Sequence, residues 1–195
     1  MRARLAIAVS GQQVELREIL LKDKPAPFLD ASSKGTVPVL VVGDRVIDES
    51  LDVMTWALTL NDPDGWLDLS EGAMALIDEC DGPFKTALDH TKYAVRFPEL
   101  DEAVERGKAL SFLRMLDDRL QSKPHLSGPR LTLADAAILP FVRQFANTDR
   151  AWFENQGLDA LERWLDAFLG STSFAKIMVK HPPWRETQEP VIFPT

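Results

Sequence analysis

The sequence contains a single cysteine, Cys80, which excludes an intramolecular disulfide framework. One thiol suits a reducing compartment, so we expect a cytoplasmic protein. No apolar run approaches the roughly 18 residues needed to span a bilayer, and the N-terminal residues become polar too early for a secretion signal. The three histidines, His90, His125 and His181, lack the spacing of metal ligands. We therefore expect neither a membrane anchor nor a metal site.

The composition is that of a globular protein with a sizeable core. Of its 195 residues, 45% are hydrophobic and 27% are charged, which suits one or two small domains. The formal net charge of −8 argues against a nucleic-acid backbone as partner. We therefore expect a soluble protein that does not bind nucleic acid.

A predicted hairpin lies near the middle of the first third of the chain. Two apolar runs rich in β-branched residues, Val37–Val42 and Val46–Ile47, are separated by the turn formers Gly43-Asp44. A helical pattern begins directly after the second run, at Leu51. The preceding acid-serine pair, Glu49 and Ser50, therefore lies where a helix begins and where backbone N–H groups have no partner.

The predicted first strand begins with a proline. Pro38 is tolerated there because its missing N–H does not interrupt a ladder, and the Val37–Pro38 bond can be cis. Valine-proline, a hairpin and an acid-serine pair together resemble the glutathione-binding half of a glutathione S-transferase. In that family the proline is cis and the backbone of the residue before it, here Val37, binds the cysteinyl part of glutathione. The resemblance assigns the γ-glutamyl end to Glu49, which attracts the ammonium group, and to Ser50, which binds the carboxylate.

The first part of the chain predicts a thioredoxin-like domain whose first strand is absent. The predicted order is a helix, a strand, a short helix, two hairpin strands and a helix; the elements outside the hairpin are Arg2–Ser10, Val14–Leu21, Ala26–Ala31 and the helix from Leu51 to about Asn61. The order resembles omega-like, cysteine-using glutathione S-transferases. The resemblance implies that Lys24, just before a proline, binds a glutathione carboxylate, and the alternative is a solvated loop lysine.

The rest of the chain predicts an all-α helical-bundle domain. Turn-forming residues at 62–66 indicate a linker, so we expect a glutathione-binding domain at 1–61 and a helical domain at 67–195. Predicted helices include one interrupted at Gly82-Pro83 and one whose N-terminus carries a capping box of Thr132 and Asp135. The proline-rich tail is expected to be extended and to pack through Trp184.

The catalytic residue is unknown from the sequence. In cysteine-using members a strand and a turn reading C-P-[FY]-A precede the first helix, and no Cys, Ser or Tyr precedes it here. We expect Met1 to be an internal methionine, in a natural protein longer by about 20 residues. The alternative is a true truncation in a degenerate or repurposed member. Cys80 is better explained as an ordinary thiol than as a nucleophile.

Three further residues allow two interpretations. Tyr93, Phe97 and Arg143 either line the pocket for the acceptor substrate or have core and surface roles. The family resemblance implies a homodimer that uses glutathione as co-substrate, either for conjugation to a small electrophile or for thiol-disulfide exchange. Because the reactive turn is missing, a second alternative is that this chain is catalytically inactive. The alternative function is a non-catalytic interaction or regulatory module.

Overall fold

The computed structural model describes residues 1–195. The helices are α1 Arg2–Ser10, α2 Ala26–Ala31, α3 Ser50–Leu60, α4 Ala73–Glu79, α5 Lys85–Lys92, α6 Glu102–Leu120, α7 Leu133–Ala146, α8 Arg150–Glu154, α9 Asp159–Leu169 and α10 Thr172–Ile177. The strands are β1 Val14–Glu15, β2 Leu40–Val42, β3 Arg45–Ile47 and β4 Ile192–Phe193. None of the helices combines the length and the apolar character required to cross a membrane.

The chain divides into two compact units. Unit 1 contains residues 1–65 together with 172–195, and unit 2 contains residues 66–171. The division after Gly65 falls within the predicted linker at 62–66. The prediction assigned the whole of 67–195 to the second domain, whereas residues 172–195 group with the first unit.

Unit 1 is built around the packing of α1 on α3. The facing positions are small or aliphatic and fully buried, among them Leu5 and Ala6 on α1 and Met54 and Ala57 on α3. The helix α1 ends at Gly11, as predicted, with φ of 68° in the left-handed region that glycine adopts without strain. The start of α3, the second helix of this pair, carries the predicted binding residues Glu49 and Ser50.

The strands form two separate two-stranded antiparallel sheets. The hairpin pairs β2 with β3, with Leu40 opposite Ile47, and its turn is the predicted Gly43-Asp44. Its first arm begins at Leu40 and not at Val37 as predicted. The predicted strand Val14–Leu21 is also too long, because only Val14–Glu15 pairs regularly, with β4. Beyond β1 the Leu16 N–H still donates to the carbonyl of Val191 at 2.7 Å, and the chain then turns, with Leu20 bridged to Asp23.

The C-terminal tail is held against unit 1 in a largely extended form, as predicted. The backbone N–H of Trp184 donates to the carbonyl of Glu18 at 2.7 Å. The guanidinium carbon of Arg17 lies 4.7 Å from the centroid of the Trp184 ring. The Arg4 guanidinium pairs with the Glu18 carboxylate and donates to the carbonyl of Ile177 at 3.1 Å, near the end of α10. These contacts join the tail to α1 and to the residues following β1.

Unit 2 is a helical bundle around an aromatic core. The Phe84 ring lies 4.8 Å from that of Phe112 and 5.8 Å from that of Phe145. The predicted interruption at Gly82-Pro83 is a single π-helical turn, Cys80–Phe84, which joins α4 directly to α5. The predicted capping box of Thr132 and Asp135 is present at the start of α7.

Candidate functional site

The start of α3 presents unpaired backbone donors. Ser50 is the first helical residue, and Glu49 before it has an extended backbone with φ of −105° and ψ of 135°. No side chain caps this end of the helix. The N–H groups of a first helical turn have no partner within the helix and carry partial positive charge. The helix start can therefore bind an anionic group, and the Ser50 hydroxyl is a further donor at the same position.

An ion-pair cluster surrounds the acidic residue at this helix start. The amine of Lys34 lies 2.6 Å from Glu49 Oε1 and 3.3 Å from Asp48 Oδ2. Hydrogen bonds to Glu49 and then to Asp48 raise the pKa of Lys34 above its ordinary value of 10.5. Lys34 was not among the binding residues predicted from the sequence. The sequence feature that could have indicated it is a basic residue in the polar loop before the hairpin, with two consecutive acidic residues after the hairpin.

The predicted glutathione-binding lysine lies near the same loop. A Cβ atom built on Gly35 would lie 3.5 Å from the Lys24 amine, an ordinary van der Waals distance, so the amine lies next to this glycine. Gly35 also has φ of 61°, where other residues are strained. Lys24 is exposed and forms no ion pair within the chain. Its charge is therefore available to a ligand carboxylate.

The Val37–Pro38 peptide bond is cis, as the family resemblance implies. Both residues precede β2, and the Val37 backbone has no hydrogen-bond partner in the chain. The Val37 side chain is 49% exposed. A strand-like backbone with free donor and acceptor groups can pair with an extended peptide.

The five predicted binding residues, Lys24, Val37, Pro38, Glu49 and Ser50, thus all belong to unit 1. Lys24 lies before α2, Val37 and Pro38 lie directly before β2, and Glu49 and Ser50 lie at the start of α3. Together they offer an amine, a free backbone edge, a carboxylate and helix N–H groups. These groups complement a short peptide that bears carboxylates and one ammonium group. Their roles as ligand contacts remain predictions.

The candidate reactive side chains lie elsewhere. Cys80 is fully buried in the π-helical turn of unit 2, which agrees with an ordinary core thiol. His90 Nδ1 lies 2.8 Å from Glu105 Oε2, and His125 Nδ1 lies 3.7 Å from Asp135 Oδ1. Both histidines therefore have contacts to carboxylates of unit 2. No catalytic residue is assigned.

The three residues with two interpretations have defined surroundings in unit 2. The Tyr93 ring is covered by the cations of Lys92, at 4.8 Å, and Arg96, at 4.4 Å. The Phe97 ring lies 4.5 Å from the His90 ring. Arg143 lines a polar cleft of about 470 Å³ within unit 2. These contacts account for their positions, and a role in an acceptor pocket remains a prediction.

Two family models match most of the chain. "Glutathione S-transferase, N-terminal domain" matches residues 1–64 and "Glutathione S-transferase, C-terminal domain" matches residues 75–167. Human glutathione S-transferase theta-2B is 29% identical over 184 residues, covering 83% of this chain and 74% of the relative. The omega-like, cysteine-using subtype and the missing strand remain predictions.

Solved structures confirm the predicted fold. A delta-class glutathione transferase from Nilaparvata lugens aligns with a TM-score of 0.72 and 20% identity, over 90% of this chain and 86% of that one. A glutathione S-transferase-I bound with lactoylglutathione aligns with a TM-score of 0.69 and 21% identity, over 90% and 91%. The architecture is thus a thioredoxin-like unit followed by a helical bundle. Because both family models match in the expected order, with few residues between them, the chain belongs to the glutathione S-transferase family.

Proposed function

We propose that this chain binds glutathione in unit 1 and functions as a glutathione transferase. The single observation that carries the proposal is the uncapped start of α3, where Glu49 and Ser50 lie next to each other. The γ-glutamyl end of glutathione carries an ammonium group and a carboxylate on one carbon. Glu49 binds the ammonium group, and Ser50 with the first N–H groups of α3 binds the carboxylate.

The remaining contacts follow the length of the peptide. The free backbone of Val37, fixed before Pro38, pairs with the cysteinyl residue. The Lys24 amine near Gly35 binds the second carboxylate of glutathione. Family membership and the lactoylglutathione complex of the structural neighbour support this assignment.

The proposed chemistry is a thiol transfer. The glutathione thiol gives its proton to solvent, the sulfur forms a bond to an electrophilic carbon, and the leaving group departs with its electron pair. With a disulfide substrate, the same sulfur forms a mixed disulfide and a thiolate departs. The side chain that lowers the pKa of the glutathione thiol is not assigned.

The cellular setting is part of the same proposal. We infer a cytoplasmic protein, which the single buried thiol supports. We also infer a homodimer, which family membership supports. Light scattering of the purified chain at several concentrations tests the dimer, and a constant mass of 21.8 kDa would contradict it.

Calorimetric titration with glutathione tests the function. We expect Ser50→Ala to raise the Kd about tenfold, because a hydrogen bond to a charged group contributes about 1.5–3 kcal/mol. Thr55→Ala is the matched control, since Thr55 lies on the exposed side of the same helix and donates to the Leu51 carbonyl. Equal affinities for the wild type and the Ser50 variant would contradict the assignment. Binding without turnover of an activated aryl halide would favour the non-catalytic module.

A further inference from the structure

The turn that carries Lys34 has a defined geometry. The backbone N–H of Gly35 donates to the carbonyl of Ser32 at 3.0 Å, and the Ser32 hydroxyl donates to the carbonyl of Thr36 at 3.4 Å. Ser32 itself is buried. The turn therefore holds the backbone of Lys34 in place and directs its side chain to residues 48 and 49 across the site.

The ion pair between Lys34 and Glu49 contributes little to the stability of the fold. Lys34 is 50% exposed and Glu49 is 61% exposed, and ion pairs this exposed contribute little to stability because water and salt screen them. The pair has a local effect instead. Lys34 binds only Oε1 of Glu49, and Oε2 has no partner in the chain.

The charges around the helix start also need balance. Asp48 and Glu49 are adjacent acids, and without a cation between them their combined charge would repel the carboxylate of an incoming γ-glutamyl group. Lys34 contacts both acids, at 3.3 and 2.6 Å. It offsets part of their charge and leaves one carboxylate oxygen open.

From this geometry we propose that Lys34 is a positioning residue for glutathione binding, acting through Glu49. It fixes the Glu49 carboxylate by one oxygen, so that the other oxygen receives the γ-glutamyl ammonium group while the ligand carboxylate reaches the start of α3. This inference rests on the proposed glutathione-binding function. In this role Lys34 contributes to recognition of glutathione without contacting the ligand itself.

The test combines calorimetry with steady-state kinetics on three single-site variants of the full chain. Lys34→Met should raise the Kd and the KM for glutathione about three- to tenfold, as expected for loss of one charge-assisted hydrogen bond, with kcat nearly unchanged. Lys34→Arg should recover most of the affinity. Lys180→Met, at an exposed lysine of the same unit, should behave as the wild type.

Two further measurements show whether Lys34 acts through Glu49. In a Glu49→Gln background, Lys34→Met should change the Kd by less than about twofold, because coupled residues do not contribute independently. A glutathione analogue lacking the γ-glutamyl amine should bind the wild type and Lys34→Met with similar affinity. Circular dichroism confirms that each variant is folded.

The outcomes separate the inference from the function on which it rests. If the wild type binds glutathione and Lys34→Met binds it equally well, the positioning role is overturned alone. The same holds if the loss persists in the Glu49→Gln background. If the wild type does not bind glutathione, the proposed function fails and the inference fails with it.

Discussion

Asp117 on α6 caps the start of α9 by accepting a hydrogen bond from the backbone N–H of Leu161, 44 residues away, at 2.9 Å. The same oxygen accepts from the N–H of Ala160, also at 2.9 Å. Asp117 is 6% exposed, so these donors would have no solvent to replace it. The helix α9 thus obtains its N-terminal acceptor from another helix of the bundle and not from its own sequence.

Replacement of this acceptor should destabilise unit 2. We expect Asp117→Ala to lower the free energy of unfolding by about 1–3 kcal/mol, because two buried N–H groups lose their partner. Asp117→Asn should cost less, since an amide oxygen still accepts. Urea titration followed by circular dichroism measures both, with Asp118→Ala as control at the exposed neighbouring position. An alanine variant as stable as the wild type would contradict the capping role.

A second buried carboxylate joins three parts of unit 2. Asp135 is fully buried and accepts from the Leu126 N–H, from the Thr132 N–H and hydroxyl, and from Trp164 Nε1 at 2.9 Å. We expect Trp164→Phe to lower the free energy of unfolding by about 1–3 kcal/mol, because a buried charge then lacks one of its donors.

Urea denaturation of the Trp164 variant tests this role. Trp56→Phe, at a half-buried indole in unit 1, controls for the loss of ring size. If both variants lose the same stability, the indole donor does not support Asp135. In an Asp135→Asn background the Trp164 substitution should cost less, because coupled partners are not additive.

The extent to which sequence predicts this structure depends on the distance between interacting residues. Gly11, the Gly43-Asp44 turn and the capping box were predictable because each depends on residues within one helical turn or hairpin. The pairing of β1 with β4 joins opposite ends of the chain, and no local pattern indicates it. The predicted strand Val14–Leu21 was too long for this reason.

The candidate site follows the same rule. The location of Glu49 and Ser50 at a helix start was predictable, because an acidic residue and a serine directly before a helical pattern indicate such a start. The contact of Lys34 with Glu49 was not, since it joins residues 15 apart through the hairpin between them. Opposite charges across a hairpin are common, and only the fold determines which of them meet.

Acidic pH should weaken unit 2 through Glu105. Its side chain is 5% exposed and contacts the Lys108 amine at 2.5 Å and His90 Nδ1 at 2.8 Å. These hydrogen bonds, first from Lys108 and then from His90, lower the pKa of Glu105 below its ordinary value of 4.5. A carboxyl with a lowered pKa stabilises the folded state above that ordinary value, and this stabilisation is lost as the pH falls through the folded-state pKa.

Thermal unfolding at several pH values tests the role of Glu105. At pH 7 we expect Glu105→Gln to unfold at a lower temperature than the wild type, and the difference should shrink toward pH 3 as the wild-type carboxyl protonates. Glu99→Gln, at an exposed position in the same unit, should show no such dependence. A difference that is constant across the pH range would show that the carboxylate charge is not the cause.

The two side chains of β4 point to opposite faces, so truncating each in turn compares a buried position with an exposed one. Phe193 is 6% exposed, whereas Ile192 is 43% exposed. Truncating a buried phenylalanine costs about 3–5 kcal/mol, so Phe193→Ala should open the tail far more often than Ile192→Ala. Trypsin cleavage after the exposed Arg185 should then be about tenfold or more faster, because cleavage tracks the open population when closing is rapid. Time-resolved mass spectrometry identifies the fragment. Equal cleavage rates in the two variants would mean that Phe193 does not hold the tail on β1.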